Sequence, residues 1–182
     1  MKKFILAIIM ITMMFPTTVV MASTDNNHNI KLTLGETKVL VNGEEKSIDV
    51  APFAVNGRTL VPLRFISETL GYEVYWINDK QEVSIRKNDG NILDQRAKTL
   101  FLQINNHNVR IYNSRISVNP IISIPEQFKT IIGKNKNKEE VYLDQPPITV
   151  NGRTMVPIRF ISEQMGLTVN WDNETKSITI TE

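Results

Sequence analysis

The spacing of apolar residues predicts a short amphipathic helix in the first half of the chain. Leu63, Ile66 and Leu70 recur at positions i, i+3 and i+7, which places them on one face of a helix. Pro62 stands where such a helix begins, because its φ is preset and its missing N–H is not needed in the first turn. Gly71 supplies the left-handed residue at which many helices end. We therefore predict a two-turn helix with one buried face.

An alternating pattern after this helix predicts a β-hairpin. Val74 and Trp76 fall on one side of its first strand, and Val83 and Ile85 fall on one side of the returning strand. We therefore expect Trp76 to lie in the core, packed against Ile66 of the helix. Truncating a tryptophan buried in this way would cost about 3–5 kcal/mol of stability.

The block that contains the helix and the hairpin occurs twice. Residues 56–85 return as residues 151–180, and 16 of the 30 aligned positions are identical. The second copy accordingly predicts a helix between Pro157 and Gly166 and an inward-facing Trp171. The spacing of 95 residues far exceeds the period of about 20 to 50 residues in repeat proteins, so each copy is predicted to be a small domain or half of a pseudo-symmetric one.

The predicted fold class is α+β, with two copies of a small antiparallel β-sheet packed on a short α-helix in the order hairpin, helix, hairpin. Copy one is assigned to residues 30–87, a polar linker to 88–98, and copy two to 99–182 with an insertion at about 114–140. Residues 23–29 are predicted to form a flexible N-terminal segment. Because the first copy has only about 55 residues, close to the lower limit for independent stability, we expect the two copies to pack on each other.

The polar residues that both copies share are predicted to be structural. Asn-Gly pairs form tight turns, because both residues adopt positive φ at low cost. An acid four residues after an arginine forms a pair along a helix surface. The arginine of each turn is expected to reach an aspartate and tie the turn to the preceding strand. The residues are Asn56, Gly57, Arg58, Arg64, Glu68 and Asp49 in copy one, and Asn151, Gly152, Arg153, Arg159, Glu163 and Asp144 in copy two.

A catalytic role for the repeated carboxylates is the alternative interpretation. A glycosidase needs two carboxylates that face each other across a cleft, and the candidates are Asp49 with Glu68 and Asp144 with Glu163. We favour ion pairs, because each glutamate follows a helix arginine by four residues. The sequence also lacks a cysteine nucleophile, a Gly-x-Ser-x-Gly motif and a His-Glu-x-x-His motif. We therefore expect no catalytic residues.

The first 22 residues predict export from the cell. Lys2 and Lys3 precede an uncharged apolar run over residues 4–14, and residues 20–22 form a small-x-small cleavage site. The apolar run is shorter than the roughly 20 residues that span a bilayer, so we expect no membrane span after cleavage. The chain has no cysteine, which excludes disulfides and a lipoprotein anchor.

The charge balance argues against nucleic acid as a partner. Removal of Lys2 and Lys3 leaves 19 basic residues against 19 acidic residues, so the mature chain is formally neutral. A protein that binds a nucleic-acid duplex presents a basic face to the phosphates.

A longer motif unites the repeated residues and resembles a known family. The pattern over residues 56–76 and 151–171 reads Asn-Gly-Arg-Thr-(Leu/Met)-Val-Pro-(Leu/Ile)-Arg-Phe-Ile-Ser-Glu, followed by Gly, Val and Trp. It closely resembles the copper amine oxidase N-terminal domain, also called the stalk domain. The resemblance implies antiparallel strands curled around a helix, a non-catalytic role, and an exported protein of a Gram-positive bacterium.

Copper chemistry is not expected in spite of that resemblance. The oxidases hold copper through three imidazoles, whereas this chain has two histidines, His28 and His107. Their quinone cofactor forms from a tyrosine in an Asn-Tyr-(Asp/Glu) context, and the nearest match has Gly71 before Tyr72. We therefore expect no metal, no cofactor and no enzyme activity.

Two classes of function remain in view. We favour a non-enzymatic module, secreted or associated with the cell wall, that binds a wall polymer or an envelope protein or acts as a spacer. The tryptophans, with Tyr75, could stack on sugar rings, although their repetition favours a place in the core. The alternative is a small exported hydrolase, or an inhibitor of a hydrolase or protease, that acts through the apolar residues 116–128.

The cleavage site gives the first testable prediction. We expect the precursor to be cut after Ala22, because the charged, apolar and small residues follow each other in the order that signal peptidase requires. Intact-mass analysis of the secreted protein should show a chain that begins at Ser23. An uncut chain of 182 residues in the cytoplasm would contradict the prediction.

Overall fold

Short antiparallel strands and two α-helices form the described part of the chain, which in the computed structural model is residues 28–87, 98–113 and 138–182. The first stretch contains β1 (Asn29–Thr33), β2 (Lys38–Val41), β3 (Glu44–Ser47), β4 (Phe53–Val55), β5 (Arg58–Pro62), α1 (Leu63–Thr69), β6 (Tyr72–Ile77), a 3₁₀ turn (Asn78–Lys80) and β7 (Glu82–Lys87). The other two contain β8 (Lys98–Gln103), β9 (Asn108–Asn113), β10 (Lys138–Tyr142), β11 (Ile148–Val150), β12 (Arg153–Pro157), α2 (Ile158–Met165), β13 (Thr168–Asp172) and β14 (Ser177–Thr181). We call residues 28–87 the first half and residues 98–182 the second half.

Each five-stranded sheet takes strands from both halves. The first sheet has the order β13-β14-β1-β2-β3, and the second has the order β10-β9-β8-β7-β6. In the first sheet β1 pairs with β14, so that Asn29 lies opposite Thr181. In the second sheet β7 pairs with β8, so that Glu82 lies opposite Gln103. The last hairpin of each half therefore completes the sheet that the other half begins.

A central four-stranded sheet joins the two halves directly. Its order is β11-β12-β5-β4, and its middle pair places Val61 opposite Val156. Leu60 lies opposite Pro157, and Pro62 lies opposite Met155. The repeat relates Leu60 to Met155 and Pro62 to Pro157. β5 and β12 therefore pair as two copies of one strand related by a twofold axis.

Both helices begin and end where the sequence predicts. Pro62 precedes α1 and Pro157 precedes α2 with extended backbone angles, and the helices start at the next residue. Gly71 follows α1 with φ of 75°, and Gly166 ends α2 with φ of 72°. These left-handed angles are strained for residues with a Cβ atom, which confirms the predicted role of the two glycines.

The Asn-Gly turns are also confirmed. Asn56 and Gly57 have φ of 49° and 69° between β4 and β5, and Asn151 and Gly152 have φ of 49° and 74° between β11 and β12. Positive φ at both central residues is the requirement of the tight hairpin turn whose twist matches that of the strands.

The core is shared by the two halves. Ile66 of α1 and Ile161 of α2 are fully buried in one apolar cluster, together with Ile30 and Ile180 from the neighbouring strands β1 and β14 and with Leu102 of the second sheet. The buried faces of α1 and α2 are those that the apolar spacing predicts. No helix of the described residues is long and apolar enough to cross a membrane.

The second sheet carries a buried ion pair on the face away from this core. Glu82, only 2% exposed, contacts the guanidinium of Arg110 on β9. Phe101 and Tyr112 pack edge to face beside it, with ring centroids 5.4 Å apart. Removal of Arg110 would leave the buried carboxylate of Glu82 uncompensated, which makes Arg110 a sensitive position.

Antiparallel sheets with two short helices are the α+β class that the sequence predicts. The strand order departs from a simple hairpin, helix, hairpin, because three strands and a further hairpin precede each helix. The predicted signal peptide lies outside the described residues. The predicted linker also lies outside them, apart from residue 98. Of the predicted insertion at about 114–140, only residues 138–140 are described. Within the predicted segment 23–29, only residues 28 and 29 are described.

The shared core predicts a clear contrast between two apolar truncations. Ile66→Ala should lower the free energy of unfolding by about 2–5 kcal/mol, because it opens a cavity beneath both halves. Leu40→Ala is the control, since Leu40 is 40% exposed and should cost less than about 1 kcal/mol. Chemical denaturation followed by circular dichroism measures both values. Equal losses in the two variants would contradict the core assignment.

Candidate functional site

The two tryptophans are exposed, and their predicted place in the core is wrong. Trp76 and Trp171 are each 41% exposed. Val74 and Val169, two positions earlier in the same strands, do pack against the core. The reason is position within the sheets, because β6 and β13 are edge strands and each tryptophan lies near the end of its strand. The alternation identifies the correct side of the strand but overestimates how far the core extends.

Each indole is held by a hydrogen bond to the turn that follows it. Nε1 of Trp76 donates to Oδ1 of Asn78 over 3.4 Å, and Nε1 of Trp171 donates to Oδ1 of Asn173 over 2.6 Å. The bond satisfies the polar atom of the side chain within the protein itself. The exposed ring surface is thus left for contact with another molecule.

The turn that holds Trp171 is fixed by a carboxylate. Oδ1 of Asp172 accepts hydrogen bonds from the backbone N–H groups of Glu174 and Thr175, over 2.8 and 3.2 Å. Hydrogen bonds from Thr175, first from its side chain and then from its backbone, and from the backbone of Glu174 lower the pKa of Asp172. A lowered carboxyl pKa means that this support is present above the ordinary value of about 3.9 and is lost as the pH falls through the folded-state pKa.

Trp76 lines a groove that both halves of the chain form. The groove has a volume of about 770 Å³, which falls in the range of small-molecule binding sites. Its apolar wall includes Ile48, Leu63, Phe65 and Val74 of the first half, and its opposite wall includes residues 149 and 152–154 at the β11–β12 hairpin. The groove therefore exists only when the two halves are packed together.

Two ion pairs lie along this groove. Arg64 and Glu68 of α1 are 3.2 Å apart, as the four-residue spacing predicts. Arg153, at the tip of the second-half hairpin, lies 2.6 Å from the carboxylate of Asp49 in the first half. All four side chains are more than half exposed, so each pair contributes about 0–1 kcal/mol to stability.

The prediction that each turn arginine ties its own copy together is wrong. Arg153 pairs with Asp49, and Arg58 pairs with Asp144, so each arginine crosses to the other half. The cause is the pairing of β5 with β12, which carries each hairpin tip past the partner half. The i, i+4 pair predicted in the second helix, Arg159 with Glu163, is not formed within 4.0 Å although both residues are described.

Three of the four carboxylates considered for glycoside hydrolysis, all except Glu163, are held by arginines. Asp49 and Glu68 both line the groove, and each is paired with a guanidinium. Asp144 contacts Arg58 in the same way. A carboxylate whose oxygen is engaged with a guanidinium on the protein surface suits a structural pair.

The two histidines lie apart from this groove. Nδ1 of His28 is 3.0 Å from a carboxylate oxygen of Glu182, and the His107 ring stacks on Tyr142 with centroids 5.1 Å apart. Among the described residues no three histidine, aspartate or glutamate side chains are grouped so that they could hold a metal ion.

Comparison with protein families places the chain in one of them. The model of the copper amine oxidase N-terminal domain matches residues 16–85 and 129–180, and the chain belongs to that family. In the copper amine oxidases this domain is a non-catalytic accessory domain. Comparison with curated proteins and with solved structures found no match.

The groove itself was missed by sequence reasoning. One wall of the groove is formed by the β11–β12 hairpin, which lies about 75 residues after Trp76 in the chain. The alternation of residues along a strand cannot predict a contact over such a distance. The available signal was that the copies share several exposed residues as well as their core, among them Asp49, Arg64, Glu68 and Trp76.

The corrected position of the tryptophans can be tested by fluorescence. Trp76→Phe and Trp171→Phe each leave one tryptophan, because the chain has two. We expect acrylamide to quench the remaining tryptophan efficiently in both folded variants, because each ring is 41% exposed. The same variants unfolded in guanidinium chloride give the reference for full exposure. A folded variant whose tryptophan resists quenching would restore the core assignment for that residue.

Proposed function

We propose that this protein is a non-catalytic binding module of the bacterial cell envelope that holds a wall polymer in the groove around Trp76. The observation that carries the proposal is a partly exposed indole whose nitrogen is already bonded to Asn78, at the wall of a groove of about 770 Å³. Exposed aromatic rings in a concave site provide a flat apolar surface for a ligand. The predicted signal peptide would bring this groove to the wall.

The charges of the groove favour an uncharged ligand. Arg64 and Arg153 carry two positive charges, and Glu68 and Asp49 carry two negative charges that neutralise them. An anionic polymer would meet two carboxylates, whereas sugar hydroxyls can donate to these carboxylates and accept from the guanidinium groups. The glycan strand of the wall therefore fits the groove better than a polyanion does.

Membership of the family supports a role without catalysis. The matched domain is an accessory domain in the oxidases, and three of the four candidate carboxylates are engaged with arginines. We propose that the module acts outside the cell, in or near the wall of a Gram-positive bacterium. The alternative of a hydrolase or an inhibitor was assigned to residues 116–128, which lie outside the described residues.

Sedimentation with purified wall tests this function. The mature protein, from Ser23 onward, should sediment with peptidoglycan sacculi stripped of anionic polymers. Trp76→Ala should weaken binding, because it removes the aromatic surface of the groove. Leu40→Ala is the matched control, since it removes a side chain of similar exposure at a site outside the groove.

The possible results separate the candidate ligands. Binding that survives stripping and depends on Trp76 supports a glycan ligand. Binding only to unstripped wall would indicate an anionic polymer and contradict the proposed ligand. No sedimentation with either material, or equal binding by Trp76→Ala and the wild type, would contradict the proposed function.

A further inference from the structure

We infer that the chain carries a second glycan-binding groove, around Trp171, so that one molecule binds two segments of a wall glycan. This inference rests on the function proposed for the Trp76 groove. It follows from three observations on the described residues: the retention of groove residues between the repeats, the geometry around Trp171, and one substitution that adds an aromatic ring.

The residues of the first groove are repeated in the other half of the chain. Of the 17 positions that line the groove, 10 have the same residue type at the position 95 residues away. Of the eight lining residues with exposed side chains and polar or aromatic character, five are retained. They are Asp49, Arg64, Glu68, Trp76 and Arg153, which correspond to Asp144, Arg159, Glu163, Trp171 and Arg58.

Stability alone gives little reason for this retention. Exposed substitutions usually change stability by less than about 0.5 kcal/mol, and exposed ion pairs contribute about 0–1 kcal/mol. Exposed residues next to the groove have also changed between the halves, since Asp79 and Lys80 correspond to Glu174 and Thr175. Shared chemistry at exposed groove positions therefore points to a shared ligand.

Counterparts of several groups that line the first groove are placed alike in the other half. Trp171 is as exposed as Trp76, and its indole is bonded to Asn173 as that of Trp76 is to Asn78. Arg58 reaches Asp144 from the tip of the β4–β5 hairpin, which repeats the contact of Arg153 with Asp49. The exchange of hairpins between the halves thus repeats the arginine–aspartate contact of the first groove in the other half.

The second groove differs from the first by an added aromatic ring. Tyr142 occupies the position that corresponds to Ser47, a residue that lines the first groove. Its side chain is 67% exposed and stacks on His107, with an angle of 9° between the rings. Tyr142 and Trp171 together provide two ring surfaces, so we expect the second groove to bind a sugar chain more tightly than the first.

Isothermal titration calorimetry with a defined oligosaccharide tests the inference. The probe is the β-1,4-linked hexamer of N-acetylglucosamine, titrated into the mature wild-type chain. We expect two sites per chain, of which the tighter is lost in Trp171→Ala and the weaker in Trp76→Ala. Tyr142→Ser should weaken only the tighter site, by about three- to tenfold, the usual effect of one aromatic contact.

The controls keep a folding defect apart from a binding defect. Circular dichroism melts establish that each variant is folded, and Leu40→Ala should keep both sites. Tyr142→Ser is the decisive variant. Because the side chain of Tyr142 is highly exposed in the wild type, we expect this variant to fold normally.

The outcomes also separate this inference from the function on which it rests. A single site that depends on Trp76 and is indifferent to Trp171 and Tyr142 would overturn the second groove and leave the proposed function intact. Two sites that Tyr142→Ser leaves unchanged would overturn the assigned role of Tyr142. Absence of binding to the hexamer would overturn the second groove, and absence of binding to whole wall as well would overturn the proposed function.

Discussion

The antiparallel pairing of β5 with β12 is the contact on which the rest of the structure depends. Val61 lies opposite Val156 in a register that treats the two repeats alike. This register carries each Asn-Gly hairpin past the other half, where its arginine meets an aspartate. It also brings each helix against the central sheet strand of the opposite half. A shift of this register by one residue would turn the apolar side chains away from the core and separate the ion pairs.

The sharing of sheets explains how two sequences of modest length form one stable core. A segment of about 60 residues buries too little apolar surface to be more than marginally stable alone. In this chain β1 of the first half takes one of its two strand partners, β14, from the second half. In the same way β7 of the first half pairs with β8 of the second half. Without those partners, each half would expose unpaired strand edges and part of the common apolar cluster. The groove around Trp76 depends on the same exchange, since it takes its walls from both halves.

Local structure was predictable from the sequence, and long-range pairing was not. The caps at Gly71 and Gly166, the Asn-Gly turns and the buried helix faces follow from steric rules that act within a few residues. Alternation in β6 gave the correct side for Trp76, but it could not reveal that β6 is an edge strand. The partners of Arg58 and Arg153 were missed for the same reason, because they are fixed by which strands pair and not by local spacing. The buried pair of Glu82 and Arg110 also depends on long-range pairing, because β7 and β9 come together only on either side of β8.

Separating the two halves tests most directly whether each needs the other in order to fold. Residues 23–92 and 93–182 would be produced as individual chains and examined by circular dichroism and NMR, alone and mixed in equal amounts. We expect each chain alone to lack a cooperative thermal transition, because its outer strands and its central strand have lost their partners. The mixture should regain the native spectrum and a single transition. Cooperative unfolding of either chain alone would show that the halves are independent domains and would contradict the account.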